Sequence, residues 1–116
     1  MFDTLRTDKR DAALYALGAQ LDVAIAEKDA ARRCDLPQEN ERCGRFVEIA
    51  HAIENARPHS NTGVMVKQRL AHYLMREALD FPDDIELLTW AAEVALHVRK
   101  EQDRVCEAET KRPRAA

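Results

Sequence analysis

Apolar residues recur along this chain at spacings of three and four, in four stretches separated by polar corners. That spacing is the repeat of an amphipathic helix. The first stretch predicts a helix over residues 8–33, with Thr7 as its N-cap. Leu14, Leu17, Leu21, Ala24 and Ile25 make one apolar stripe along it. Ala12, Ala16, Ala19, Val23, Ala26 and Ala30 make a second stripe nearly opposite. A helix apolar on two sides packs on two sides, and small residues let a neighbouring backbone come close. The first helix is therefore expected either at the centre of a bundle or at the boundary with another subunit.

The segment "CDLPQEN" breaks the pattern and places Pro37 near the start of the next helix, over 38–56. This helix is expected to bury Cys43, Phe46, Ile49, Ala50, Ile53 and Ala56, leaving Glu41, Glu48, His51 and Asn55 on the other side. Pro58 ends it, because the residue before a proline is pushed out of helical geometry. "HSNTG" then offers caps for a third helix over 62–79. Val66, Leu70, Tyr73 and Leu74 form its apolar arc, widened by Val64, Ala71 and Ala78, while Arg69, His72 and Arg76 line up separately. In the last corner, "DFPDDIE", Asp83 and Glu86 have the spacing of a capping box, with Asp in the usual Ser or Thr position. The fourth helix, over 84–107, turns Leu87, Leu88, Ala91, Val94, Ala95, Val98 and Val105 one way and Glu86, Glu93, His97 and Lys100 the other.

Corners this short favour antiparallel neighbours. The expected fold is all-α, a small antiparallel bundle of about four helices in a single domain over 1–109, with a disordered basic tail over 110–116. Leu14, Leu21, Phe46, Ile53, Leu70, Leu88 and the region of Trp90 are expected to form or border its core. Ionisable groups are expected outside.

Composition agrees with helix: 34% of the 116 residues are charged, 5% are aromatic, and there are only 3 Gly and 4 Pro. A chain of this length buries roughly two thirds of its unfolded surface, enough for a core without disulfide or metal. No apolar run approaches the roughly 18 residues of a membrane span, and "MFDTLRTDKRD" has no apolar signal core. Cys34, Cys43 and Cys106 are an odd set at irregular spacing, which reads as reduced thiols in a cytoplasmic protein. Cys34 and Cys43 lack the CxxC spacing and basic surroundings of a redox couple.

Net charge is −3, but its distribution is uneven. From Asn55 to Arg76 the chain carries Arg57, Lys67, Arg69, Arg76 and two histidines with no acid, and from Glu77 to Glu93 it carries six acids with no base.

Catalytic readings fare poorly. "EIAH", Glu48 to His51, matches the Glu-x-x-His spacing of di-iron bundles, but a second such pair is missing and both residues sit opposite Phe46, Ile49 and Ile53. A metal-binding bundle, with the ion shared across a dimer, is the remote alternative. Glu93 and His97, four apart, read as a surface pair worth a few tenths of a kcal/mol. Ser60 beside His59 has no orienting acid in its segment, and Gly18, Gly44 and Gly63 make no phosphate loop. No enzymatic activity and no cofactor are expected.

The segment from "RPHSN" into "NTGVMVKQRLAHYL" has the outline of a helix-turn-helix, with Lys67, Gln68, Arg69, His72 and Arg76 as candidate contacts to nucleic acid or to an acidic protein partner. The hinge is a little long for that motif, and the acids that follow disfavour a phosphate backbone nearby.

"ALGAQLDVAIAEKDAARR" and "IENARPHSNTGVMVKQRL" together resemble a group of small, uncharacterised bacterial proteins with an opening LGxxLD helix and a later I-E-x-x-x-P-x-x-T-x-x-G-x-x-x-K stretch. Ile53, Glu54, Thr62, Gly63 and Lys67 follow that stretch in part, with a tighter Thr–Gly spacing, and the likeness covers about a third of the chain. The resemblance implies an all-helical protein associated with mobile elements, without an established activity or catalytic residues. The expectation is a non-catalytic interaction protein, a homodimer that binds another macromolecule, with the second stripe of helix one as the self-association surface. The alternative is a small DNA-binding regulator.

Overall fold

A computed structural model of the chain describes residues 8–34 and 39–111, with side chains over 8–30 and 44–110. A 3-10 turn, Lys9–Asp11, leads into α1 (Ala12–Cys34), followed by α2 (Glu39–Asn55), α3 (Asn61–Asp80) and α4 (Ile85–Lys111). All four elements are helices, as the spacing of apolar residues requires. Helix α4 runs on to Lys111, and the Thr110 hydroxyl donates to the Cys106 carbonyl oxygen at 2.8 Å, so residues 110 and 111, expected in the tail, are helical. Residues 112–116 and Thr7 lie outside the described residues.

The helix starts are set by side-chain caps. Asp8 accepts the Arg10 N–H and opens the 3-10 turn. Ser60, in extended backbone conformation, accepts the Gly63 N–H and starts α3. At α4 the cap is Asp84, not Asp83: its Oδ1 accepts the Leu87 N–H at 3.0 Å. The cap must stand three residues before the donor it satisfies, and the Phe81 to Asp84 turn, closed by the Asp84 N–H on the Phe81 carbonyl at 3.0 Å, puts Asp84 there.

Cross-helix partners fix the directions. Tyr15 meets Thr62, Asp22 meets Arg69 and Lys28 meets Tyr73, a near-constant offset that runs α1 parallel to α3. Asn61 meets Glu109 and Gln68 approaches Gln102, so α3 and α4 are antiparallel. Helix α1 packs chiefly on α2, and α3 on α4, as two hairpins laid together in an up-down-up-down bundle. Leu14, Leu21, Ala24, Phe46, Ile53, Leu70, Leu74, Ala91, Val94 and Val98 form the shared core. The Phe46 ring leans on Tyr73 at 5.2 Å and meets Trp90 edge-on at 6.3 Å between centroids, which ties α2 to α3 and α4.

Two expectations about the core are corrected. Leu88 is 47% exposed, because the face of α4 that meets α3 is the one carrying Leu87, Ala91, Val94, Val98 and Val105. Ionisable groups also enter the interior: Asp11, Lys67 and Glu77 are buried, each among hydrogen-bond partners. Among the described residues no buried side-chain nitrogen or oxygen is left without a partner.

Candidate interaction surfaces

The hinge between α2 and α3 is a corner pinned from three sides. Asp11, at the start of α1, accepts the His59 N–H at 2.9 Å and the Ser60 hydroxyl at 2.5 Å. Tyr15 sits one helical turn further on, its hydroxyl 2.7 Å from Thr62 Oγ1 and accepting the Asp8 N–H at 2.9 Å. From α4, Arg104 donates to the Pro58 carbonyl at 2.6 Å and to Glu101 at 2.6 Å. Pro58 is buried. Gly63 is required here, since a Cβ at that position runs into the Asp11 carboxylate and lies 3.2 Å from the Pro58 Cβ. A turn anchored in this way holds the α2–α3 angle. The hinge is thus a structural joint of the bundle, tied to both α1 and α4.

The candidate contact set on α3 divides. Lys67 is 1% exposed, and its ammonium turns inward to donate to the Glu54 carbonyl at 2.9 Å, with His97 Nε2 2.8 Å away. It is not available to an external partner. Its position explains why: Lys67 stands three, four and seven residues before Leu70, Ala71 and Leu74, on the buried side of α3. Gln68 is half-buried and turned towards Gln102. Arg69, His72 and Arg76 are exposed on one face, but the Arg69 guanidinium is engaged by both carboxylate oxygens of Asp22 at 3.2 and 2.9 Å. The free basic surface is thus smaller than the sequence count.

Around Lys67 a polar chain crosses three helices. Burial pushes the Lys67 ammonium below its ordinary pKa, with the Arg104 charge acting the same way and Glu101 and Glu54 opposing. For Glu101, burial favours the neutral acid, but the hydrogen bonds and charge of Arg104, with Lys67 and His97, outweigh it and hold the carboxyl below its ordinary pKa. Trp90 Nε1 donates to Glu54 Oε1 at 2.7 Å, and His51 Nδ1 lies 2.8 Å from Glu54 Oε2. The network has a structural consequence, the locking of α2 and α4 across α3, and no concave polar pocket opens onto Lys67 among the cavities described.

The expected self-association stripe lies on the surface. Ala12, Ala16, Ala19 and Ala26 are exposed, Val23 is 58% exposed, and Ala30 is half-buried. Beside it, between α1 and α2, runs an open groove of about 440 Å³. Ala19, Val23, Ala24 and Ile49 give it an apolar floor, and Gln20, Glu27, Arg45 and Glu48 form its rim. Arg45 donates to Glu27 across the groove at 2.8 Å.

Glu48 and His51 are exposed on the outer side of α2, as their spacing from Phe46 and Ile53 implies, and His51 pairs with Glu54 instead of Glu48. His97, expected on the outer face with Glu93, turns to Lys67 and lies 3.8 Å from Glu101. Cys106 is exposed, while the Cys34 and Cys43 side chains lie outside the described residues. Among the described residues no group of three or more His, Cys, Asp or Glu is placed to hold a metal ion, and no helix is long and apolar enough to cross a membrane. Comparison with the sequence models of known families, with curated proteins and with solved structures finds no match for this chain.

Proposed function

We propose that the protein is a non-catalytic helical interaction module that works as a homodimer, with the outer face of α1 as the self-association surface. The observation that carries this reading is the exposure of Val23 at 58% in a row of exposed alanines that opens directly into the apolar α1–α2 groove. Side chains this small let two helices approach to about 8 Å, and a two-fold arrangement sets the same face against itself. Val23 of each copy then fills the groove of the other, removing from water the largest apolar side chain of the stripe. The rim suits such pairing, because Arg45 and Glu48 stand on the same edge of one groove and can exchange partners across the two-fold axis.

Light scattering on the intact chain tests the proposal. Val23→Glu places a charge at the centre of the face and lowers the mass to that of one chain while helix content stays unchanged. A doubled mass that survives the substitution removes this surface from the account.

A further inference from the structure

A second exposed apolar surface lies on α4 and the corner before it. Leu79 and Ile85 are each 73% exposed, and Phe81, Leu88 and Leu96 are 45%, 47% and 57% exposed. Ile85, Leu88, Ala92 and Leu96 follow one another at helical spacing, so they form an outer stripe distinct from the core face of α4. Burial among the described residues does not explain Leu79, Ile85, Leu88 and Leu96, and a run of this size marks a contact surface.

Charge narrows what covers it. Asp80, Asp83, Asp84 and Glu86 are all exposed around the stripe, and no Lys or Arg occurs between Arg76 and Arg99. Anionic headgroups and nucleic acid are repelled by such a border. A second copy docked here about a two-fold axis sets the same acids against one another. A cationic partner gains at every one of these positions. Next to the corner, an open groove of about 310 Å³ has aromatic walls, Phe46, Tyr73, Phe81 and Trp90, with Asp84 at its mouth. One ammonium already rests there: Lys28 Nζ lies 5.3 and 5.1 Å from the Phe46 and Tyr73 ring centroids and 3.1 Å from Glu77. Aromatic faces with a carboxylate beside them suit a basic side chain, and Glu77 matches the charge of Lys28, so the surrounding acids keep their net pull.

We propose that the Leu79–Ile85 corner and the outer stripe of α4 dock a basic amphipathic helix from another protein, its apolar side on Ile85, Leu88 and Leu96 and its lysines or arginines against Asp80, Asp83, Asp84 and Glu86. Helix-in-groove recognition of this kind reads apolar anchors at spacings of three, four and seven. The surface is separate from the α1 face, so docking is independent of self-association.

The test is fluorescence anisotropy with a labelled synthetic helical peptide of leucine and lysine at amphipathic spacing, read together with the emission of Trp90, the one tryptophan of the chain. The expected results are saturable binding that weakens with salt, a loss of about tenfold or more for Ile85→Ser and for the surface pair Asp83→Lys with Glu86→Lys, and unchanged binding by the Val23→Glu chain. Circular dichroism checks each variant, and the charge pair, lying on the surface, keeps the test open if Ile85→Ser fails to fold. Absence of binding at about 100 μM peptide, equal binding of a leucine and glutamate peptide, or full binding by the folded charge-pair variant overturns the proposal. Loss of binding in Val23→Glu with loss of the dimer assigns the peptide to the α1 face and overturns it as well.

Discussion

The ammonium of Lys67 lies 2.8 Å from Nε2 of His97, on a side chain that is 1% exposed. The pair joins the centre of α3 to α4, and the Glu54 carbonyl brings in α2 at 2.9 Å. A buried cation of this kind fixes the register of three helices at a cost in desolvation.

That cost gives a pH dependence with a definite sign. Burial lowers the pKa of Lys67 in the folded protein below the ordinary 10.5, so between those two values the unfolded chain binds the proton more tightly. The contribution of Lys67 to stability therefore rises as pH rises through that window, and below it the penalty is fully present. Urea unfolding of the native chain and of Lys67→Met at about pH 7.5 and about pH 10.5 checks this. The difference in unfolding free energy is expected to move in favour of the native chain at the higher pH. An unchanged difference contradicts the inward position of the ammonium.

Glu101 has the opposite sign. Its carboxyl is held below the ordinary 4.5 once the Arg104, Lys67 and His97 interactions outweigh burial, so its stabilisation is present above 4.5 and is lost as pH falls through the folded-state value. Glu101→Gln is expected to cost about 1 kcal/mol near neutral pH and to cost nothing in acid below that value. Thermal or urea denaturation at the two pH extremes measures it.

The Asp11 joint predicts a larger loss. Asp11→Ala strips acceptors from the His59 N–H and the Ser60 hydroxyl in a buried setting, for about 3 kcal/mol. Gly63→Ala forces the Asp11 carboxylate aside and is expected to cost about 2 kcal/mol. The two losses should not add, because both act on the same contact, and a double-mutant cycle in urea reads the coupling.

Much of the fold was legible in the chain because burial and helical period coincide. Leu14, Leu21 and Ala24 on α1, and Val66, Leu70 and Leu74 on α3, fall on the core faces that their spacing gives. The errors have a common physical source. Lys67, Glu77, Asp11 and Lys28 each continue the core stripe of their own helix: Lys28 is seven residues after Leu21, Glu77 seven after Leu70, Asp11 three before Leu14. Reading charge as a mark of the surface placed them outside, whereas their period placed them in. Partners far along the chain satisfy them, such as Tyr73 and Glu77 around Lys28, and such pairings have no local signature. Leu88 failed the other way: it is apolar but off the period of Leu87, Ala91 and Val94, and it faces out. The Ala12 to Ala30 stripe was legible as a second apolar face, but not its exposure along Ala12, Ala16, Ala19, Val23 and Ala26, because spacing alone fits a central helix equally well.

The inward turn of Lys67 and the engagement of Arg69 by Asp22 bear on nucleic acid. Phosphate binding draws on free cations, and of the candidate lysine and arginines on α3, Lys67 is buried and Arg69 is paired with Asp22, which leaves Arg76. A mobility-shift assay on mixed duplex DNA is expected to show no complex even at about 50 mM salt. A salt-sensitive complex lost on Arg69→Glu contradicts this.

Self-association through α1 is the centre of the account, and the solution mass of the intact chain tests it most directly. Light scattering is expected to give twice the 13.2 kDa chain mass, falling to the single-chain value in folded Val23→Glu. A single-chain mass for the native protein at every concentration contradicts it.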